Sequence, residues 1–209
     1  VMQRTKIETF THVWNPTTGC SKGCDWCYAR RIATRFKRSF EPTCHPDRLE
    51  QPWGVKKPSR VFVDSAGDLF DPAIPYQFIE RVLFETRAAA HHTYFILTKR
   101  AARMLDFFQW LSPTYSVDWP QNKVWLGVSV TNQPDADERI PLLLQTPAAQ
   151  RFVSVEPLLG GIHLLKDWLP SGTEAGKALR KYGLGHPAID WVIIGGLTGP
   201  GARPPAIDW

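Results

Sequence analysis

Thr93-Tyr94-Phe95-Ile96-Leu97 leads into Thr98-Lys99-Arg100, then into Met104, Leu105 and Phe108 at helical spacing, and then into Val124-Trp125-Leu126-Gly127-Val128-Ser129-Val130. A short, continuous, β-branched apolar run reads as a buried strand, and strand, helix, strand over about thirty residues is the size of a βαβ unit. Working outward, the strand signal recurs at Arg60-Val61-Phe62-Val63, Arg151-Phe152-Val153-Ser154-Val155 and Trp191-Val192-Ile193-Ile194, with an N-terminal strand near Phe10 to Trp14 making six. Phe78, Ile79, Val82, Leu83 and Thr86 after Pro75 give a helix between the second and third runs. Such repetition predicts an α/β chain whose parallel sheet is covered by helices. A barrel or part-barrel and an open doubly wound sheet both satisfy it, and both place functional groups at the carboxyl ends of the strands.

Those strand ends carry Asp64-Ser65-Ala66-Gly67-Asp68, Thr98-Lys99-Arg100, Thr131-Asn132, Glu156-Pro157 and Gly195-Gly196. Ser65, Asp68 and Asn132 are residue types that cap helices and make turns, which is their plainest reading. Lys99 and Glu156 ask for more. Each ends an apolar strand, where an ionised side chain needs a partner or solvent, and a pocket lined by both would hold a zwitterion.

After the first strand comes Cys20-Ser21-Lys22-Gly23-Cys24-Asp25-Trp26-Cys27. Thiolates are soft anionic donors suited to iron-sulfur clusters, and three of them leave one iron of a cubane without a protein ligand. Cys44, in a loop-like stretch with no second cysteine beside it, reads as a bystander. Zinc is an open alternative: Cys20, Cys24 and Cys27 plus His12, His45 or Cys44 would make four ligands, although no second knuckle is present. Beyond the loop, Tyr28, Ile32 and Phe36 share one helical stripe, which predicts a helix packed inward with its arginines facing water.

With 209 residues and 43% hydrophobic content the chain can bury one substantial core, and a single domain over 1–209 is the simplest organisation. No apolar run is long enough to cross a bilayer, so no membrane is expected as a partner. The opening Val1-Met2-Gln3-Arg4-Thr5-Lys6 lacks the apolar core of a signal peptide, so a reducing cytoplasm is the expected location and a disulfide a weak reading of the cysteines. A net charge of +5 is mildly basic, with much of the excess in Arg30, Arg31, Arg35, Lys37 and Arg38. That cluster is a solvated helix face by default, and it also favours encounter with an acidic redox partner or a nucleic acid.

A three-cysteine loop after the first strand of a six-unit βα chain, with an aromatic residue just before the third cysteine, resembles the radical S-adenosylmethionine superfamily. Further blocks extend the likeness. Trp14-Asn15-Pro16-Thr17-Thr18-Gly19-Cys20, Gly67-Asp68-Leu69-Phe70, Leu97-Thr98-Lys99-Arg100, Gly127-Val128-Ser129-Val130, Ser154-Val155-Glu156-Pro157-Leu158-Leu159 and Gly195-Gly196 with Gly199-Pro200-Gly201-Ala202-Arg203-Pro204 resemble the successive signatures of a phage-associated three-cysteine-motif family.

The resemblance implies a partial (β/α)6 TIM-like barrel of parallel strands and a [4Fe-4S] cluster on Cys20, Cys24 and Cys27, with S-adenosylmethionine on the fourth iron. One electron would cleave the sulfonium to methionine and a 5′-deoxyadenosyl radical, the cofactor carrying the step while the protein orients it. By position, Trp26 would lie by the adenine, and Ser65, Gly67 and Asp68 would bind the cosubstrate's ammonium. Lys99 would meet a carboxylate, and Ser129 and Glu156 would hold ribose or substrate hydroxyls. The implied partners are an acidic electron donor such as flavodoxin or ferredoxin and, from the basic helix, a nucleic-acid substrate. Two departures stand out. Similar proteins carry Glu-Ser after the glycine pair where this chain has Leu197-Thr198, and they continue past the Arg-Pro block near which this chain stops, which predicts C-terminal truncation. The competing functions are a zinc-stabilised nucleic-acid-binding module without catalysis and a cluster-bearing scaffold that does not cleave its cosubstrate.

Overall fold

The computed structural model describes residues 1–111, 119–169, 188–197 and 202. The Gly199–Pro204 block, apart from Ala202, and the chain end lie outside the described residues, as does Thr198. In chain order the elements are β1 (Gln3–Arg4), β2 (His12–Trp14), β3 (Thr17–Thr18), α1 (Tyr28–Arg35), β4 (Thr43–Cys44), β5 (Arg60–Val63), α2 (Tyr76–Ala88), β6 (Thr93–Thr98), α3 (Ala101–Leu111), β7 (Val124–Ser129), α4 (Gln133–Gln145), β8 (Gln150–Val155) and β9 (Trp191–Ile194).

Seven strands form one sheet in the order β1-β2-β5-β6-β7-β8-β9, and β3 pairs with β4 in a separate ribbon. From β2 to β9 every neighbour is parallel, with Val63 opposite Ile96, Thr98 opposite Val128 and Val155 opposite Ile194. These are the six expected strands. β1 adds an antiparallel edge, and among the described residues the sheet does not close on itself. The fold is thus α/β with a mostly parallel central sheet that is open among the described residues.

Strand alternation divides the residues by size. Val61 and Val63, Tyr94 and Ile96, Val124, Leu126 and Val128, and Val153 and Val155 point to one face, where they join Ile79, Val82 and Leu83 of α2, Met104, Phe107 and Phe108 of α3, and Ile140 and Leu143 of α4 in a single core. The opposite face gathers Phe10, Phe62, Phe95, Trp125, Phe152 and Trp191 into an aromatic layer. Phe10 stacks on Phe62 with centroids 4.8 Å apart, and Phe95 meets Phe152 edge-on at 5.8 Å. Period-2 geometry sends neighbouring residues to opposite faces, so a run that reads as uniformly apolar is mostly aliphatic, Tyr94 aside, on the helix-covered face and mostly aromatic on the other.

The inward packing expected of α1 is not found. Tyr28, Ile32 and Phe36 are 48%, 50% and 59% exposed, and the buried residue of the helix is Ala33. The helix turns its small side to the protein: Ala29, partly buried, and Ala33, buried, lie about one turn apart, and Ile32 and Phe36 are left outside. Of the helix residues named from sequence, Phe78, Ile79, Val82, Leu83 and Thr86 are all buried in α2.

Candidate functional site

At the carboxyl ends of the parallel strands lies a cavity of about 480 Å³. Cys20, Cys24 and Cys27 line it, and so do Trp26, Ser65, Gly67, Asp68, Lys99, Ser129 and Glu156. The ten residues singled out in the sequence therefore come together around one space. Phe10, Phe62, Leu97 and Phe152 form its apolar part, continuous with the aromatic layer beneath. Cys44, His12 and His45 do not line it: Cys44 sits on β4 opposite Thr17, and His45 Nε2 shares a hydrogen bond with Thr18 Oγ1 at 2.7 Å.

The cysteine loop is held by its backbone. Gly19 has φ +81° and forms a parallel bridge to Gly67; a Cβ on Gly19 would lie 2.3 Å from the Glu41 carbonyl, and one on Gly67 would lie 2.9 Å from the Gly19 carbonyl. Only glycine meets both demands at position 19, a left-handed φ and no room for a side chain. The Gly19 amide donates to the Ala66 carbonyl at 2.9 Å, and the Cys20 amide to the Phe40 carbonyl at 3.2 Å. Cys27 caps α1, its Sγ accepting from the Arg30 amide at 3.4 Å, and Cys20 Sγ accepts from the Lys22 amide at 3.4 Å. Burial pushes the Cys20 thiol pKa up, with the Lys22 amide opposing it.

A second anchor was not visible in the sequence. Asp71, fully buried, accepts from the Ser21 amide at 2.8 Å and the Ser21 hydroxyl at 2.9 Å on one carboxylate oxygen, and the Arg100 guanidinium pairs with that oxygen at 3.0 Å. Burial alone would raise the Asp71 pKa; the hydrogen bonds from Ser21 and Ala73, with Arg100, hold it below the usual carboxylate value. Two distant parts of the chain, at Asp71 and Arg100, thus converge on the residue next to Cys20.

Around the mouth, Asp68 is buried and accepts from Thr98 Oγ1 at 2.7 Å, the Phe70 amide at 3.0 Å and the Lys99 amide at 3.2 Å, tying the end of β5 to the end of β6. Its burial raises its pKa while those three bonds pull it back. Asp64, in the left-handed region at φ +56°, accepts from both the amide and the hydroxyl of Thr17, and burial pushes its pKa up to about 7. Lys99 Nζ lies 3.8 Å from Cys24 Sγ and 5.6 Å from the Trp26 ring centre. The Trp26 indole N–H is buried and has no acceptor among the described residues. Asn132 caps α4, accepting from the Asp135 amide at 2.9 Å, so the plain reading holds for that residue. Ser65 donates to Asn15 Oδ1 at 3.2 Å, and the Tyr28 hydroxyl donates to the Ser65 carbonyl.

On the far wall, Ser129 of β7 and Ser154 of β8 are cross-strand partners and both face the cavity; Ser154 is a site residue the sequence reading passed over. Its signal was a hydroxyl set among apolar neighbours in a strand. Glu156 leans across β9: a Cβ on Gly195 would lie 2.1 Å from Glu156 Oε1. At the mouth of β9, where Gly196 and Leu197 bring no acid, the carboxylate comes from β8, and burial raises its pKa.

The donor set bears on which group it fits. Three thiols, a nearby ammonium and an unsatisfied buried N–H on one cavity wall suit an anionic sulfur-bound group with a polar ligand beside it. Among the described residues no three His, Cys, Asp or Glu side chains are grouped as a metal ion would require. Among the described residues, too, no helix is long and apolar enough to cross a membrane.

Two solved structures of spore photoproduct lyase are similar to the chain. A cysteine-to-serine mutant aligns at TM-score 0.53 with 14% identity over 75% of this chain and 48% of its own; a complex with a dinucleoside spore photoproduct aligns at TM-score 0.49 with 12% identity over 85% and 51%. The chain spans about half the length of each, and at such identity the first alignment is a likeness of fold. No curated protein matches the chain. The family model described as a protein of unknown function, DUF5131, matches residues 4–209, and the chain belongs to that family.

Proposed function

We propose that this protein is a radical S-adenosylmethionine enzyme in which Cys20, Cys24 and Cys27 hold a [4Fe-4S] cluster. The observation that carries the reading is the meeting of the three thiols with Trp26, Lys99, Asp68 and Glu156 around one cavity at the carboxyl ends of a parallel sheet. The shared fold with spore photoproduct lyase supports the architecture. Cys20, Cys24 and Cys27 would hold the cluster, which, once reduced by an external one-electron donor, would supply the electron for reductive cleavage of the sulfonium C5′–S bond of S-adenosylmethionine.

The chain's own residues have separable tasks. Lys99, with its ammonium 3.8 Å from Cys24 Sγ, offers a cation to a carboxylate. Trp26 presents a ring face and an N–H that seeks an acceptor. Asp68 fixes the β5 and β6 mouths against each other, leaving Ser65 and Gly67 beside the cysteine loop. Ser129, Ser154 and Glu156 supply hydroxyls and a carboxyl on the opposite wall for the ribose or the substrate. The aromatic layer keeps water from the base of the cavity, which protects a reactive radical.

Anaerobic reconstitution with iron and sulfide, followed by dithionite and S-adenosylmethionine, tests the reading. The expected outcome is a brown protein whose absorption bleaches on reduction and which forms 5′-deoxyadenosine. A colourless protein with stoichiometric zinc and no bound sulfide would establish the zinc module instead; the ligands it would draw on, His12, His45 and Cys44, do not line the cavity.

A further inference from the structure

We infer that the outward face of α1 is a docking surface for single-stranded nucleic acid and that this polymer is the substrate class of the cavity, an inference that rests on reading the cavity as the reaction site. The face combines two features that single strands use, exposed rings on which bases stack and cations that track the backbone. Phe36 supplies an exposed ring and Ile32 an exposed apolar side chain, while Tyr28, half exposed with its hydroxyl on the Ser65 carbonyl, joins this face to the cavity mouth; the three run about 12 Å along the helix. Arg35, Lys37 and Arg38 stand exposed beside them, and no acidic residue occurs between Asp25 and Glu41. The occupant is therefore anionic and has apolar faces.

Two observations favour a nucleic acid over an acidic protein. The guanidinium groups of Arg35 and Arg38 lie 5.9 and 5.6 Å from the centre of the Phe36 ring, so planar cation and ring form one stacking platform. The surface is also continuous with the cavity: Tyr28, Ala29 and Arg31 belong to the helix and to the cavity wall. A strand lying on the helix reaches the reaction site by following the same wall. An electron donor needs only to approach the cysteine loop and gains nothing from a path inward.

Fluorescence anisotropy of labelled dT15 and rU15 on the full chain, from 50 to 200 mM salt and without S-adenosylmethionine, tests this. Binding of at least one probe is expected, with the matching duplex bound more weakly. Arg35→Gln with Arg38→Gln should flatten the slope of log K against log salt by about 1.4, at about 0.7 per phosphate contact. Phe36→Ala should weaken binding about tenfold, and Lys56→Gln with Lys57→Gln, on exposed residues elsewhere, should change nothing. Absence of binding to both probes at 50 mM salt, equal binding of the duplex, or an unchanged salt slope would each overturn the proposal. So would a flavodoxin whose reduction of the protein, but no oligonucleotide affinity, depends on Arg35 and Arg38. Formation of 5′-deoxyadenosine with dithionite and no oligonucleotide is read separately. If that fails while dT15 still binds, the enzymatic reading falls and the docking surface stands.

Discussion

Asp64 and Asp71 lie seven positions apart, are both buried, and are driven in opposite directions by what surrounds them. At Asp64 burial outweighs the hydrogen bonds from Thr17 and the charge of Arg48, so its proton is retained to about pH 7; Asp71 has Ser21, Ala73 and Arg100 and stays charged. The folded pKa of Asp64 exceeds its unfolded value of 3.8, so its ionisation penalises the folded state, not at all below 3.8 and fully above about 7. Asp64→Asn keeps an acceptor for the Thr17 amide and removes the charge. Its melting temperature relative to the parent should climb as pH goes from 5 to 8, and a difference that stays constant with pH would refute this. For Asp71 the sign is reversed: its contribution is present above the unfolded value of 3.8 and is lost below it as the carboxylate takes a proton. Asp71→Asn at pH 7 should lower stability by about 1.5–3 kcal/mol, the usual worth of hydrogen bonds to a charged group. It should also speed alkylation of Cys20 by iodoacetamide, because Ser21 is no longer clamped.

At the scale of elements, the strands were legible and the seating of α1 was not. Arg60–Val63 and Trp191–Ile194 match the sequence reading residue for residue, because β-branched runs bounded by polar residues have few other solutions. Helical periodicity says which residues share a face; it does not say which face meets the protein. In α1 the Ala29 and Ala33 side won, since small residues permit close approach where a loop is already pinned at Cys27. Two substitutions separate the outcomes. Ile32→Ala should change stability by no more than about 0.5 kcal/mol, as exposed positions do. Ile79→Ala in α2, fully buried, should cost about 2–5 kcal/mol, both being read from denaturant midpoints. A large loss at Ile32 would mean that the stripe packs inward after all.

Across the whole molecule, residues gathered from five strand ends could be listed from sequence because a parallel sheet brings its carboxyl ends together by construction. The links between distant segments could not. Ser21 and Asp71 are 50 positions apart, Ser21 and Arg100 are 79 apart, and nothing in either neighbourhood marks the other. Gly195 likewise shows its purpose only beside Glu156. Where each cysteine sits is likewise a property of the assembled chain: Cys20, Cys24 and Cys27 line the cavity and Cys44 does not. After anaerobic reconstitution, Cys20→Ala, Cys24→Ala and Cys27→Ala should each lose most bound sulfide, whereas Cys44→Ala, on the β3–β4 ribbon, should keep the parent's content. Equal losses in all four would remove the distinction.

The contact of Gly19 with Gly67 is main chain against main chain, and that has a mechanical result. A joint made without side chains has no adjusting screw: the thiol-bearing loop and the rim beside it must travel as one piece whenever the protein breathes. Any retuning of this pocket over evolutionary time is left to the opposite wall, where Ser129, Ser154 and Glu156 line the cavity away from that joint.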